Sequence, residues 1–319
     1  MSSDRPVIPS LQQMQNRLRL KQLLLLSAID ELRSLRKVAE FMHLSQPAAT
    51  KMLHEIEETL GVRLFDRLPK GMQPTVFGES AVLYANRMIA DLSKFRENLA
   101  AQAEGSIGTI SLGSIPTPVP GLLADTIVAT KRQYPGLKIN VQVDTSDALI
   151  QLLEQGKLDL VIGRMTDHAK LEQLHFEVLD NENLSVVAGR DHPLATERRV
   201  GLAELSEQPW VLQPLSTPMR QLLERAFFDA GASSPRDVVE TNSTLLIAAL
   251  LQSSSRVAIL PSAIATDYTT AGTLCILPAR IKFQLEPFGI ITRREYLPDP
   301  KLQHFLATLR SLALPDPLR

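Results

Sequence analysis

The stretch from Arg33 to Gly71, RSLRKVAEFMHLSQPAATKMLHEIEETLGVRLFDRLPKG, constrains the fold more than any other. Leu35, Val38, Ala39 and Met42 share one face at helical spacing, which predicts a first helix over about 35–43. His43-Leu44-Ser45 then reads as a tight turn. Ser45 suits an N-cap, because its hydroxyl can accept from an orphan amide of the next turn. Pro47 suits the first helical turn, where its missing N–H forfeits no helical bond. The second helix is predicted to run to about Leu60 and to stop at Gly61. Its Ala49, Leu53, Ile56 and Leu60 point inward, while Gln46, Thr50 and His54 form a polar row flanked by Pro47 and Lys51.

A short apolar strand follows in Val62-Arg63-Leu64-Phe65. Asp66 to Gly71 forms a turn carrying Arg67 and Lys70, and Met72 to Thr75 returns. Two helices, a tight turn and a basic hairpin make a winged helix-turn-helix, which presents one helix to the DNA major groove. Gln can pair with adenine, Lys can reach guanine and Thr can meet a thymine methyl, so Ser45, Gln46, Pro47, Thr50 and Lys51 are the expected readers. His54 is the weakest member of the row, with at most a phosphate contact. Arg67 and Lys70 are expected near phosphates or a minor groove. On an isolated helix the same row would be an ordinary solvated face; the neighbouring turn, helix and wing favour DNA.

Thr75 is a plausible N-cap for a further helix, although Gly78 stands where a capping box wants Glu or Gln. From there Phe77, Ala81, Tyr84, Met88, Leu92, Phe95 and Leu99 recur close to a heptad seam, out to about Ala103. Such a stripe either packs on its own domain or pairs with a second chain. Beside a DNA module pairing is favoured, because two modules on a two-fold axis read a dyad site.

After Gly108 the pattern changes to alternating strands and helices. Strands are predicted at 109–115, 138–143, 158–163, 182–188, 210–212, 238–240, 256–260 and 287–292. Helices are predicted at 118–133, 146–155, 222–230, 244–252 and 300–312. The βαβαβ start predicts a largely parallel sheet covered on both faces, in two subdomains with crossovers near residues 180 and 285. Such sheets bind ligands beyond the carboxyl ends of their strands. The candidates there are Ser114, Pro116 and Thr117, Thr145 and Ser146, then Gln213, Pro214, Ser216 and Thr217, and Asn242 with Ser243. Each hydroxyl alone could be a plain cap; as a converging set they suit a carboxylate, phosphate or polyhydroxyl compound. Arg164 could hold an acidic ligand or an internal carboxylate.

The 319 residues suffice for two or more domains, and 44% hydrophobic with 22% charged residues is an ordinary globular balance. The formal net charge of −1 does not announce nucleic acid. Between Arg33 and Thr75, however, seven cationic residues meet five acidic ones, which suits modest non-specific DNA binding. The single cysteine, Cys275, excludes an internal disulfide and sits in an apolar run expected in the core. The start lacks a signal-peptide pattern and Leu23 to Leu26 is too short to span a bilayer, so a cytoplasmic protein without membrane contact is expected. No HExxH, Walker A, GxSxG or CxxC is present, and His43, His54, His168, His175, His192 and His304 lack zinc spacing. Asp159 reads as a capping carboxylate rather than a general base. No enzyme, metal or cofactor is expected.

The chain resembles the LysR-type transcriptional regulators. The resemblance rests on Ser34-Leu35 with Val38-Ala39, on Leu44-Ser45-Gln46-Pro47-Ala48, on Glu57 and Leu60 through Arg67, and on Pro74-Thr75 with Gly78-Glu79. Gly156 through Gly163 and Asp191-His192-Pro193-Leu194 extend it over nearly the whole chain. The start from Ser3 to Arg19 and Leu68-Pro69-Lys70-Gly71 are similar to the regulators of sugar-binding-protein genes. Thr50-Lys51 stands where the family usually has Ser-Arg, so base preference can differ there; Lys37 replaces a small or polar residue.

The resemblance implies an N-terminal all-α winged helix-turn-helix, a long linker helix, and a C-terminal α/β periplasmic-binding-protein-like effector domain of two subdomains. It implies a linker dimer assembled into a homotetramer, with promoter DNA, a small-molecule effector and RNA polymerase as partners. The expected boundaries are 11–75 for the DNA-binding domain, 76–104 for the linker and 105–319 for the effector domain. Subdomain I takes about 105–180 and 285–319, and subdomain II about 181–284. The effector is expected to be a small organic acid or a sugar derivative. The alternative is a cytoplasmic small-molecule sensor that acts through protein contacts rather than DNA.

Overall fold

The computed structural model describes residues 8–69, 71–103, 107–166, 173–279, 283–294 and 298–313. It divides into two compact units. The first is Met1–Thr109 with Gly136–Lys138 and Gln151–Asp159; the second is Ile110–Pro135, Ile139–Ile150 and Leu160–Arg319.

The N-terminal elements are α1 (Leu11–Arg17), α2 (Leu20–Leu32), α3 (Leu35–Phe41), α4 (Gln46–Leu60), β1 (Phe65–Leu68), β2 (Gly71–Pro74) and α5 (Val76–Ala103). Helices α1 and α2 are additions to the sequence reading. The run of four leucines in α2 masks any helical period, yet Leu23, Leu25, Leu26, Ala28 and Ile29 are all buried in the core of this unit. There they meet Val38 and Ala39 of α3 and Ala49, Leu53 and Ile56 of α4.

Helix α3 ends at Phe41, two residues short of expectation. His43 takes a left-handed φ of 54°, and the Leu44 amide donates back to the Ala39 carbonyl at 2.8 Å. That places the turn where α4 can start. The Ser45 hydroxyl accepts from the Ala48 amide at 3.3 Å, and Gly61 closes the helix at φ 69°. Strands β1 and β2 pair antiparallel from Phe65 opposite Pro74 to Leu68 opposite Gly71. Lys70 lies outside the described residues.

The broken capping box of α5 has a steric cause. Thr75 caps the helix, accepting from the Gly78 amide at 3.1 Å and donating to the Arg63 carbonyl at 2.8 Å. A Cβ on Gly78 would stand 1.9 Å from the Leu64 carbonyl oxygen, so no larger residue fits beneath the wing. Along α5, Gly78, Val82 and Ala85 are buried, and the helix lies beside α2. Of the predicted seam, Ala81 packs on the core of this unit, and the other members stand exposed. Phe77, Tyr84, Met88, Leu92, Phe95 and Leu99 are each 39% to 59% exposed.

The remaining elements are β3 (Thr109–Ser114), α6 (Ala124–Gln133), β4 (Lys138–Val143), α7 (Ser146–Glu154), β5 (Leu160–Gly163), β6 (Leu174–Gly189), α8 (Leu202–Ser206), β7 (Trp210–Leu212), α9 (Pro218–Asp229), β8 (Val238–Glu240), α10 (Thr244–Ser253), β9 (Val257–Pro261), α11 (Ser262–Thr270), β10 (Leu274–Ile276), β11 (Phe283–Arg293) and α12 (Pro300–Ala313). The strands form one sheet in the order β4-β3-β5-β11-β6-β9-β7-β8, with β10 also pairing β6.

The sheet is mixed, which corrects the largely parallel expectation. Parallel pairs β3–β5 and β7–β8–β9 lie at opposite ends. Between them β6 and β11 run antiparallel, with register breaks between Leu285 and Gly289. These two long strands carry the chain across the sheet. Strand β6 begins at Leu174 rather than 182, because its first half is polar and half-exposed and shows no apolar run. The helix expected from Pro118 begins at Ala124, since Pro120 (ψ 138°) and Gly121 (φ 77°) are not helical. Helices α8 and α11 and strand β10 were not anticipated.

Buried Trp210 anchors one end of the sheet. Its indole N–H donates to the Leu205 carbonyl at 2.7 Å, and its ring meets Phe227 edge-on at 5.9 Å. Cys275, expected in the core, is half-buried on β10; its thiol donates to the Gly189 carbonyl at 3.2 Å, and burial pushes its pKa up.

Candidate nucleic-acid interface and effector cleft

In the first unit, α4 and the wing enclose a groove of about 860 Å³. Gln46, Pro47, Thr50, Lys51 and His54 line one side, and Arg63, Phe65, Arg67 and Met72 line the other. Gln46 and Pro47 are exposed at the first turn and Thr50 is half-buried. Lys51 lies 3.9 Å from Glu55, and His54 lies 3.3 Å from Glu58. Both pairs are well exposed, so Lys51 and His54 remain free to exchange partners at little cost. Ser45 stays at the cap rather than in the groove.

The side chain that joins the two walls is Glu57. Its carboxylate accepts from the Leu64 amide at 2.8 Å and from the Phe65 amide at 3.3 Å. The base of the wing is thereby tied to α4 through two charge-assisted bonds. Sequence spacing gave Glu57 no role; a helical carboxylate eight residues ahead of a strand was the available sign.

In the second unit a cleft of about 580 Å³ is lined by Pro116, Val119, Pro120, Val143, Asn242, Ser243, Thr244, Ile264, Asp267, Tyr268 and Ala271. Of the predicted residues it gathers Pro116, Asn242 and Ser243. The face of α11 was missed, although Ile264, Asp267, Tyr268 and Ala271 fall at i, i+3, i+4 and i+7. Asp267 is the single ionised group among these lining residues. Ser243 also caps α10, accepting from the Leu246 amide at 3.3 Å.

The other candidates lie elsewhere. Ser114 is buried and donates to the Ile115 carbonyl at 2.8 Å. The buried Thr217 hydroxyl donates to the Pro214 carbonyl at 2.8 Å; Gln213 and Pro214 are half-buried and Ser216 is exposed in the same turn. Thr145 is exposed, and Ser146 accepts from the Arg164 amide at 3.0 Å. Buried Thr117 donates to the Glu182 carboxylate, and the Arg164 guanidinium pairs with the same carboxylate while donating to the Glu286 carbonyl at 3.0 Å. Burial lowers the pKa of Arg164 to about 10, against the pull of the nearby Glu286 charge. Glu182 is only 2% exposed at its side chain, so of the two roles open to Arg164 the internal carboxylate occupies it here.

Asp159, buried at the start of the β5 region, pairs with Lys94. Among the described residues no group of three His, Cys, Asp or Glu side chains could hold a metal ion, and no helix is long and apolar enough to cross a membrane.

A winged helix-turn-helix, a long helix and a mixed α/β sheet with a cleft define the class of ligand-responsive transcription regulators. The comparisons with known proteins give the family. The family profile for the LysR substrate binding domain matches residues 103–313, and that for the bacterial regulatory helix-turn-helix protein, lysR family, matches residues 20–79. The chain belongs to the LysR family: it is a LysR-type transcriptional regulator with an effector-binding domain. It is 33% identical over 296 residues to the HTH-type transcriptional regulator GbpR of Azospirillum brasilense, covering 92% of this chain and 86% of that protein. It is 31% identical to the uncharacterized HTH-type transcriptional regulator YdcI of Escherichia coli, covering 87% and 90% respectively. Among solved structures, full-length CbnR complexed with its target DNA shares the fold, with a TM-score of 0.58 at 20% identity over 92% of this chain and all of that one.

Proposed function

We propose that the first unit reads promoter DNA through the N-terminal half of α4, and that the cleft of the second unit binds a small effector that controls the regulator. The carrying observation is that exposed Gln46 and Lys51 and half-buried Thr50 line one groove opposite Arg63 and Arg67. A row of base-reading types on a helix, with guanidiniums across the same groove, suits a duplex edge and backbone together. The solved complex of CbnR with target DNA, similar in fold, supports the same use of this module. His54, which lines the same groove, is part of the proposed interface, and Lys70 is proposed from its sequence position alone.

The exposed seam of α5 supports pairing of two chains, which would set two modules on a dyad; a tetramer and contact with RNA polymerase complete the reading. For the effector, a sugar derivative is better supported than an organic acid. The cleft offers the Asn242 amide, the Ser243, Thr244 and Tyr268 hydroxyls and apolar surface, while its one charge is the Asp267 carboxylate. An effector acts by binding one cleft arrangement more tightly than another.

Footprinting and mobility shifts on the intergenic DNA upstream of the gene test the DNA part. Protection of an interrupted dyad that is lost on Thr50→Ala with Lys51→Ala is the expected result. Equal affinity for that fragment and a scrambled duplex would reject it.

A further inference from the structure

We propose that the segment from Ser10 to Lys21, which leads into the start of the family's helix-turn-helix region at residue 20, is a second DNA-gripping element that holds phosphates beside the recognition helix. The inference rests on the DNA-binding reading of α4 and adds a site to it.

Three observations carry it. First, α1 lies before the matched helix-turn-helix region, which starts at residue 20, yet it is a built element. Ser10 accepts from the Gln13 amide at 3.3 Å while the Gln13 side chain accepts from the Ser10 amide at 2.9 Å, a complete capping box. The helix lies alongside α4, the proposed recognition helix, and Leu18 after it packs on the core.

Second, the charge of this segment is uncompensated. From Ile8 to Ile29 the sequence holds Arg17, Arg19 and Lys21 and no acidic residue. All three are exposed. Arg33, Arg36, Lys51 and Arg63 each stand within 4.0 Å of a carboxylate, on Asp30, Glu40, Glu55 and Asp66. Arg17, Arg19 and Lys21 have no such partner among the described residues. Among the described residues this segment therefore holds three exposed cations with no carboxylate within 4.0 Å and no acidic residue nearby in sequence.

Third, two of the three cations sit at the disfavoured end of a helix, while Arg17 closes α1 at its favoured end. Arg19 is the N-cap of α2 and Lys21 its second residue, with no acidic group in the first turn. Positive charge at the positive end of a helix dipole is unfavourable, and a bound anion reverses the sign. Phosphates spaced along a duplex supply such anions, and the exposed amides of Gln12, Gln13, Gln15 and Asn16 suit phosphate and sugar oxygens.

The test is the salt dependence of DNA affinity for the full chain and for R17A/R19A/K21A, measured by fluorescence anisotropy. The probes are the upstream intergenic duplex and a scrambled duplex of equal length. Loss of three phosphate contacts lowers the slope of log K against log salt by about 2 to 3, and it weakens both duplexes alike. The R17K/R19K variant keeps the slope. An unchanged slope in the triple variant overturns the proposal. Loss of RNA-polymerase-dependent transcription at unchanged slope also overturns it, in favour of a protein contact. The T50A/K51A pair separates the two readings: if it leaves sequence preference intact, the recognition-helix reading fails, while the slope still judges the Ser10–Lys21 segment.

Discussion

Replacing Gly78 with Ala should weaken the DNA-binding unit, although Gly→Ala inside an open helix is ordinarily stabilising by about 1 kcal/mol. The structure reverses the sign. The new Cβ would stand 1.9 Å from the Leu64 carbonyl oxygen, against the 3.0 Å below which real contacts essentially never fall. One of the two chains must therefore retreat by about 1 Å. Retreat also strains two bonds: that carbonyl accepts the Thr75 amide at 2.8 Å, and the Leu64 amide is held by Glu57 at 2.8 Å. Overpacking of this kind costs about 1–3 kcal/mol and a weakened hydrogen bond about 1 more. After the helix-propensity gain, a net loss of about 1–3 kcal/mol is expected. Hydrogen exchange of the α2 and α5 amides reads the loss locally, and mobility shifts should show weaker operator binding because the wing moves with Leu64. Gly201→Ala is the control, since nothing lies within 4 Å of its Cβ position. If Gly78→Ala slows exchange in α2 and α5, helix propensity alone governs the site and the close-approach argument is wrong.

Met88→Lys places a charge at the middle of the α5 seam, and sedimentation should show the chain pairing less strongly; an unchanged association state would move the interface off this helix. Ser243→Trp fills the cleft, so a monosaccharide that raises the melting point of the parent protein should no longer do so, while DNA affinity without sugar stays the same. For the Glu177–Arg310 pair, the Arg310 guanidinium holds the Glu177 carboxyl below its ordinary value of 4.5, and the same bond raises Arg310. A depressed carboxylate stabilises the fold above that ordinary value and loses the effect as pH falls through its folded value. Both groups are partly exposed, so Arg310→Met should cost less than about 1 kcal/mol at neutral pH. The difference from the parent should shrink as pH falls below 4.5 and vanish only below the depressed folded value, and a constant difference across pH would assign the loss to packing instead.

The helix-turn-helix was legible because its determinants are local. Ser45, Pro47 and Gly61 punctuate α4 wherever it packs, and the inward row Ala49, Leu53 and Ile56 fixes which side chains remain outside. The seam of α5 was visible for the same reason, as was the alternation of strands and helices. The cleft was only partly legible. Pro116, Asn242 and Ser243 meet there, but Thr117, Arg164 and Thr217 turn toward carboxylates and carbonyls of their own chain. Which way a hydroxyl or guanidinium faces depends on partners far away in sequence, such as Glu182 for Thr117.

What the chain order alone determined is the bounds and inward face of α4 and the apolar stripe of α5, since caps and period act over a few residues. Tertiary structure decided what distance in sequence hides. It set two antiparallel crossing strands in the middle of an otherwise parallel sheet, and it brought α11 to the cleft. It tied Glu57 to the wing and forced glycine at position 78, because a carbonyl from another element occupies the space a side chain would need.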